Sequence, residues 1–149
     1  MKTPTQHDIV YMAGLFDGEG CVVIAKHHRR KDGTYNYELR VDLVNTWLDI
    51  FPWIRDRFDG RFAMTYDKPP NPIRKPRGDW ILTNQKAADF LVMIIPFVKI
   101  KRRDMEIGLA FQAVKHGHNR AVRYTPEQDG IMEGWRKQLM GRNKLLVTP

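Results

Sequence analysis

Two carboxylates, Asp17 and Glu19, follow a short apolar segment near the start of the sequence and alternate with glycines. The apolar segment is typical of a helix, and the β-branched run over residues 21–25 is typical of a strand. Gly18 and Gly20 allow positive φ, so we expect a sharp turn between the two elements. Glu19 would then lie at the negative end of the helix dipole, where a carboxylate is unfavourable without a cation. This placement favours a divalent cation.

The segment from Met12 to Gly20 resembles the signature motif of the LAGLIDADG homing endonucleases. Apolar, Ala, Gly, Leu, apolar, Asp, small, acidic and Gly residues follow one another in the order of that motif. Met12 stands for the first Leu, Phe16 for Ile, Gly18 for Ala and Glu19 for the second Asp. These replacements keep the chemical character of the motif, because Glu still offers carboxylate oxygens.

The bulk composition limits the class of protein. A length of 149 residues with 42% apolar content predicts one folded domain, and a formal net charge of +8 favours a polyanionic partner, nucleic acid before membrane. The single cysteine excludes an internal disulfide and a cysteine-cluster metal site. No signal peptide opens the sequence and no apolar run is long enough to span a bilayer, so we expect an intracellular protein with no membrane partner.

Hydrophobic periodicity and turn residues predict the order of the elements. A capping box of Thr5 and Asp8 begins the first helix, and Pro52 is expected to kink the second helix or delay its start. The predicted helices cover residues 6–16, 46–58, 84–95, 101–114 and 126–141, and the predicted strands cover residues 21–28, 35–45, 61–66 and 79–83.

This order indicates an α+β fold with an αββαββα arrangement. The resemblance implies that it forms one LAGLIDADG unit with a four-stranded antiparallel DNA-binding saddle. We expect a single domain over residues 1–149, with a core of about residues 5–114 and a C-terminal helical extension of about residues 115–149. In the extra C-terminal helix, Ile131, Trp135 and Leu139 are predicted to share the packing side. Residues 142–149 are expected to fray.

The second predicted strand alternates apolar and polar residues, so one face of the sheet packs on the core and the other is polar and bare. Long polar side chains in rows on a concave sheet suit the major groove of DNA. The predicted bare-face residues are Lys26, Glu38, Arg40, Asp42, Arg61 and Thr65, or their neighbours if the register shifts by one. The predicted phosphate-contacting residues of the two hairpin tips are Arg29, Arg30, Lys31, Arg74, Lys75 and Arg77.

The resemblance also implies an active site shared between two copies of the chain, because only one copy of the motif is present. Each subunit would deliver one Glu19 to a two-fold axis, where Mg²⁺ is shared with the scissile phosphates, and Mn²⁺ or Ca²⁺ would substitute for binding. The helix contact between the subunits would involve Val10, Ala13, Gly14, Asp17 and Gly18.

Two further catalytic residues are implied by alignment with the family. Lys101 takes the position of the catalytic lysine, with Lys99 as the alternative. Asn45 takes the position of a polar residue that orients water, and a shift of the alignment by one residue would select Val44 instead.

The resemblance therefore implies a homodimeric, Mg²⁺-dependent endonuclease without an organic cofactor. It would cut double-stranded DNA at a long, near-palindromic site and leave 3′ overhangs. The alternative is a LAGLIDADG-type RNA maturase or DNA-binding regulator that does not cleave. The presence of both Glu19 and Lys101 favours the enzyme, since a binding protein needs neither.

Overall fold

The computed structural model describes residues 1–29, 32–65, 73–115 and 123–145, with the backbone alone for residues 142–145. Four strands form one sheet, and the helices precede, separate and follow its two hairpins, so the predicted αββαββα order and the additional C-terminal helix are confirmed. In chain order the elements are α1 (Gln6–Glu19), β1 (Gly20–His28), β2 (Tyr35–Asn45), α2 (Ile50–Phe58), β3 (Arg61–Thr65), β4 (Arg77–Thr83), α3 (Asn84–Ile94), a 3₁₀ turn (Ile95–Phe97), α4 (Arg102–Lys115) and α5 (Pro126–Leu145).

The sheet has the strand order β1-β2-β4-β3, and every neighbouring pair is antiparallel. Gly20 of β1 pairs with Leu43 of β2, which in turn pairs with Trp80 of β4. The predicted core face of β2 is confirmed, because all of its alternate apolar residues are fully buried, namely Tyr37, Leu39, Val41 and Leu43. The other side chains of β2 therefore share the opposite face.

Helices α1, α3 and α4 pack on the apolar face of the sheet, and α5 packs against α4 and β1. The ring of Phe90 lies in edge-to-face contact with Phe16 of α1 and with Trp80 of β4. Fully burying an aromatic side chain of this size contributes about 1.5 to 3 kcal/mol. None of the helices in the described part of the chain is long and apolar enough to cross a membrane.

Helix α1 begins as predicted and ends later than predicted. The backbone N–H of Asp8 donates to Thr5 Oγ1, and the N–H of Thr5 donates to Asp8 Oδ2, which completes the capping box. The expected positive φ after the helix is wrong, because Gly20 is extended with a φ of −83°. Gly20 is required for a different reason: a Cβ there would lie 2.3 Å from the ring of Phe16.

Helix α2 starts at Ile50 and not at residue 46, in agreement with the expectation that Pro52 delays its start. Pro52 lies in the first turn, where its missing N–H has no helical partner to lose. Thr46 lies four residues before the helix and does not cap it. Instead, Oδ1 of Asn45 accepts the N–H of Trp47 at 2.7 Å and closes the turn that follows β2.

Helix α5 continues to Leu145 rather than ending at Gly141. The expectation that Ile131 packs is wrong, because 47% of its surface is exposed while Met132 and Leu139 are buried. Trp135 is partly buried against the core. The packing side is therefore rotated by one residue from the predicted one at the start of the helix.

Candidate nucleic-acid interface and active site

The two sides of helix α1 have different surroundings. Met12, Ala13 and Phe16 are fully buried in the core of the same chain. The prediction that Ala13 contacts a second subunit is therefore wrong, because helical periodicity turns its side chain inward. Gly14 and Gly18 lie on the exposed side, where an added Cβ meets no described atom within 4 Å apart from the adjacent residues and the backbone of the same helix.

Two large apolar side chains continue the exposed side of α1 beyond Gly14. Val10 is 45% exposed and Tyr11 is 56% exposed. Helical spacing places residues 10, 11, 14 and 18 along one stripe of the helix. This stripe, called here the α1 stripe, combines apolar surface with two positions at which a second backbone can approach closely.

Asp17 anchors the start of α4 to the end of α1. Its carboxylate accepts the backbone N–H groups of Lys99, Ile100 and Lys101 at 2.9 to 3.0 Å. Burial opposes ionisation of Asp17, but these three hydrogen bonds and the charge of Lys101 together keep its pKa below the usual value. The carboxylate of Asp17 is thus engaged within its own chain.

Lys101 lies against the C-terminal end of α1. Its ammonium donates to the carbonyl oxygen of Asp17 at 2.6 Å and to that of Phe16 at 3.4 Å. A cation is favourable at this end of a helix, where carbonyl groups lack helical partners. The structure therefore places the Lys101 charge within one helical turn of Glu19, whereas Lys99 is exposed and contributes its backbone to the Asp17 contact.

Glu19 is the last residue of α1 and is exposed. Its carboxylate has no hydrogen bond or ion pair with any other described residue. Within the described ranges, no three His, Cys, Asp or Glu side chains are grouped closely enough to hold a metal ion. One chain therefore offers a single unengaged carboxylate at this corner. Such a carboxylate fits Mg²⁺, which proteins often bind through one or two carboxylates together with substrate phosphates.

Asn45 lies at the same end of the sheet as Glu19, because Gly20 pairs with Leu43 two residues earlier on β2. Its Oδ1 is engaged in the turn to Trp47. Val44, the alternative position, is 37% exposed on the polar face and pairs with Asp79 of β4. Of these two candidate residues, only Asn45 has polar side-chain atoms that could orient water.

The register defines the polar face of the sheet, which lies opposite the core helices. The predicted residues of β2 and β3 lie on it, and the residues of β4 on it include Asp79 and Thr83, which were not singled out from the sequence. The sequence signal for Asp79 and Thr83 is the alternation of β4 around the buried Trp80 and Leu82. The polar face comprises Glu38, Arg40, Asp42, Arg61, Thr65, Arg77, Asp79 and Thr83.

The prediction that Lys26 lies on this face is wrong. Lys26 pairs with the buried Tyr37, so its side chain projects from the helix-covered face. There its ammonium lies 3.1 Å from Glu133 of α5 and 4.2 Å from the centre of the Tyr35 ring. A charge at the edge of the covered face is stable because the partner carboxylate on α5 neutralises it.

The hairpin residues lie where the sequence predicts them, as far as they are described. Arg74, Lys75 and Arg77 are exposed, and Arg77 is also the first residue of β4. Arg29 follows β1 and is half-buried, and its N–H donates to the carbonyl of Thr34. Arg30 and Lys31 lie outside the described residues.

Neither protein-family models nor curated proteins matched the sequence. Among solved structures, the archaeal intron-encoded homing endonuclease I-Vdi141I complexed with DNA gives a TM-score of 0.72 at 13% identity, over 91% of this chain and 83% of that one. The homing endonuclease I-CvuI in complex with its target gives 0.69 at 14%, over 97% and 84%. This chain has the LAGLIDADG homing endonuclease fold.

A third structure with the LAGLIDADG fold differs in the share of its length that matches. The LAGLIDADG homing endonuclease I-LtrWI bound to target DNA gives a TM-score of 0.68 at 14% identity, over 93% of this chain but only 46% of its own. This chain thus corresponds to less than half of the I-LtrWI chain and to most of the I-CvuI chain.

Proposed function

We propose that this protein is a homing endonuclease, a homodimer that cuts both strands of DNA at a long, near-palindromic site. The observation that carries the proposal is the exposed, unengaged carboxylate of Glu19 at the end of α1, next to the α1 stripe. A folded chain gains nothing from a carboxylate at the negative end of a helix. A bound cation would compensate for the unfavourable position of the Glu19 carboxylate.

The dimer would form through the α1 stripe of two copies. Gly14 and Gly18 allow two helices to pack closely, and Val10 and Tyr11 add apolar surface that is exposed in a single chain. Two Glu19 carboxylates would then meet at the axis. The likeness of this chain to less than half of I-LtrWI supports a second copy in the place of the other half.

Mg²⁺ is the metal that we propose for Glu19, and two structures of I-CvuI with target DNA were obtained in the presence of calcium and of magnesium. When bound, the metal would activate water and stabilise the oxygen that leaves phosphorus. Lys101, held at the carbonyl groups of Phe16 and Asp17, would stabilise the negative charge that develops on the phosphate. The amide nitrogen of Asn45, whose oxygen closes the neighbouring turn, would orient a water molecule.

DNA would lie along the polar face of the sheet, with the β-strand side chains in the major groove and the hairpin cations on phosphates. The net charge of +8 supports a polyanionic ligand. The Glu19 corners of two subunits would then face the minor groove between the half-sites, and cleavage across that groove leaves 3′ overhangs.

A cleavage selection tests this function. A library of duplexes with randomised palindromic half-sites is incubated with the protein and Mg²⁺, in parallel with EDTA, and the cut ends are sequenced. We expect magnesium-dependent cuts in one family of sequences, with one overhang length. Selective binding without any cut would instead support a DNA-binding regulator or maturase, and the absence of both would reject the proposal.

A further inference from the structure

Three charged side chains form a cluster in the middle of the polar face. Arg40 and Asp42 are two residues apart on β2, so both project from the same face. Asp79 of β4 pairs with Val44, which makes it the diagonal neighbour of Asp42. Since Gly20 pairs with Leu43, the cluster lies towards the Glu19 end of the sheet.

Arg40 is oriented by Asp42. Its Nη2 lies 3.1 Å from Asp42 Oδ2, so the side chain runs along the strand towards Asp42. The guanidinium retains Nη donors that this contact does not use, whereas its Nε is shielded from solvent and has no hydrogen-bond partner in the described part of the chain. A guanidinium held by a carboxylate presents its remaining N–H groups in a fixed direction.

Asp79 is an acceptor without a donor. Its Oδ1 is shielded from solvent and has no hydrogen-bond partner among the described residues, although the residue as a whole is half-buried. A buried acceptor that stays unpaired costs stability. Because the last torsion of an aspartate is soft, either oxygen can turn towards a donor that arrives from the open side of the sheet.

The electrostatic surroundings agree with this geometry. Burial raises the pKa of Asp79, against the opposing effect of Arg40, Arg61 and Arg77, and burial with the nearby Asp79 charge raises the pKa of Asp42. Asp79 Oδ1 lacks a hydrogen-bond donor among the described residues, and the phosphates of the DNA backbone offer none, so the backbone is not a suitable ligand for it. Base edges, which carry hydrogen-bond donors and no charge, are the suitable ligand.

We infer that Arg40, Asp42 and Asp79 form a base-reading cluster that selects one guanine and one cytosine in each half of the DNA site. Arg40 donates to O6 and N7 of the guanine, Asp79 accepts from the N4 amino group of the cytosine, and Asp42 is a positioning residue for Arg40. The inference rests on the proposed function, since it needs DNA on the polar face.

The test is a binding selection that does not depend on cleavage. Wild-type protein and variants are incubated in Ca²⁺ with duplexes whose palindromic half-sites are randomised, and the bound duplexes are sequenced. In the Asp79→Asn variant the new amide both donates and accepts hydrogen bonds. The preferred base at one position of the DNA site should therefore change from cytosine to adenine, with a change of about tenfold in relative preference. In Arg40→Gln one position changes from guanine to adenine for the same reason, whereas Arg40→Lys keeps a weaker guanine preference.

Asp42→Asn separates positioning from contact. It should weaken the guanine preference at the Arg40 position and leave the cytosine preference at the Asp79 position intact. Asp89→Asn is the matched control, because it removes the same charge from an exposed site on α3, on the helix-covered side. Thermal unfolding of each variant shows that the fold is retained.

The outcomes distinguish this inference from the proposed function. If wild-type protein selects a site and the Asp79→Asn and Arg40→Gln variants select the same one, the base-reading cluster is rejected and the DNA-binding function stands. If wild-type protein selects no sequence, both are rejected. Changes confined to one position for each variant support the assignment.

Discussion

Asp17 and Glu19 are two carboxylates at the same end of the same helix, and their surroundings are opposite. Asp17 accepts three backbone N–H groups from the segment before α4. Glu19 is exposed and makes no hydrogen bond or ion pair within the described part of the chain. The first carboxylate connects two elements of the fold, and the second is left for a ligand.

The two faces of the sheet show the same difference. On the covered face, Lys26 is paired with Glu133, which also accepts from the hydroxyl of Tyr37 at 3.0 Å. On the polar face, Asp79 keeps an oxygen without a partner among the described residues. Substitutions at Asp17 and Glu133, which are engaged within the chain, should therefore change stability, and substitution of the exposed Glu19 should change function alone.

The largest effect is expected for Glu19→Gln. DNA cleavage should fall by about 100-fold or more, because the carboxylate that would hold the metal ion is lost. Duplex binding should remain at the wild-type value and the melting temperature should not fall, since Glu19 makes no hydrogen bond or ion pair within the described chain and its charge is unfavourable at the helix end. Cleavage assays, binding titrations and thermal unfolding measure the three quantities, and a variant that still cuts at the wild-type rate removes Glu19 from the site.

The substitution Asp17→Ala should act on stability instead. It leaves three N–H groups at the start of α4 without their acceptor, and we expect a loss of about 2 kcal/mol in the free energy of unfolding. Asp17→Asn keeps one acceptor oxygen and should lose less. Urea unfolding measures both, and equal stability of Asp17→Ala and wild type would show that the contact contributes nothing.

Two glycines of the motif should have different roles: Gly20 is needed for the fold, and Gly14 for the proposed dimer. Gly20→Ala places a methyl group against Phe16 and should destabilise the fold by about 2 kcal/mol. At Gly14 an added Cβ has open space around it outside its own helix, so the fold of Gly14→Leu should persist while the proposed dimer separates into monomers. Light scattering gives the mass of each variant, and a Gly14→Leu dimer would refute the α1 stripe as the interface.

The smallest effect concerns Glu133 and pH. Burial opposes its ionisation, but its contacts with Lys26, Tyr37 and Arg136 keep its pKa below the usual value of 4.5. The stabilisation is therefore present above about pH 4.5 and is lost as the pH falls through the lowered pKa. Glu133→Gln should be less stable than wild type by about 1 kcal/mol at pH 7.

The pH dependence of that difference is the test. The gap between Glu133→Gln and wild type should shrink as unfolding is measured from pH 6 down to pH 3. Glu106→Gln, an exposed substitution on α4, serves as the control and should show no such gap. A gap that stays constant over this range would mean that the Glu133 charge is unimportant to the docking of α5.

The sequence was sufficient to predict the order of the elements, because strand alternation and helix caps are local signals. The alternation of β2 correctly identified its buried face, and Thr5 with Asp8 correctly marked the start of α1. Gly20 shows the limit of such signals. Its role depends on the packing of Phe16 against it, not on the backbone angle that a glycine in a turn suggests.

The errors at the candidate site arose from partners that are distant in the sequence. Lys26 was placed on the polar face because it is charged, and its partner Glu133 lies in a helix without a recognised motif. Ala13 was assigned to the dimer because it is small, although it is one residue away from the exposed side of α1. The role of Asp79 required the pairing of β4 with β2, which a single strand does not reveal.

The contact between Asp17 and the segment before α4 also bears on the order of folding. It joins residues separated by 82 to 84 positions, and contacts that close long loops are slow to form because the chain loses entropy before they add stability. The N–H groups of Lys99, Ile100 and Lys101 should therefore gain protection late in pulse-labelled hydrogen exchange. Lys101 would then reach the end of α1 only after the rest of the sheet has assembled, so an incompletely folded chain would lack the proposed catalytic centre.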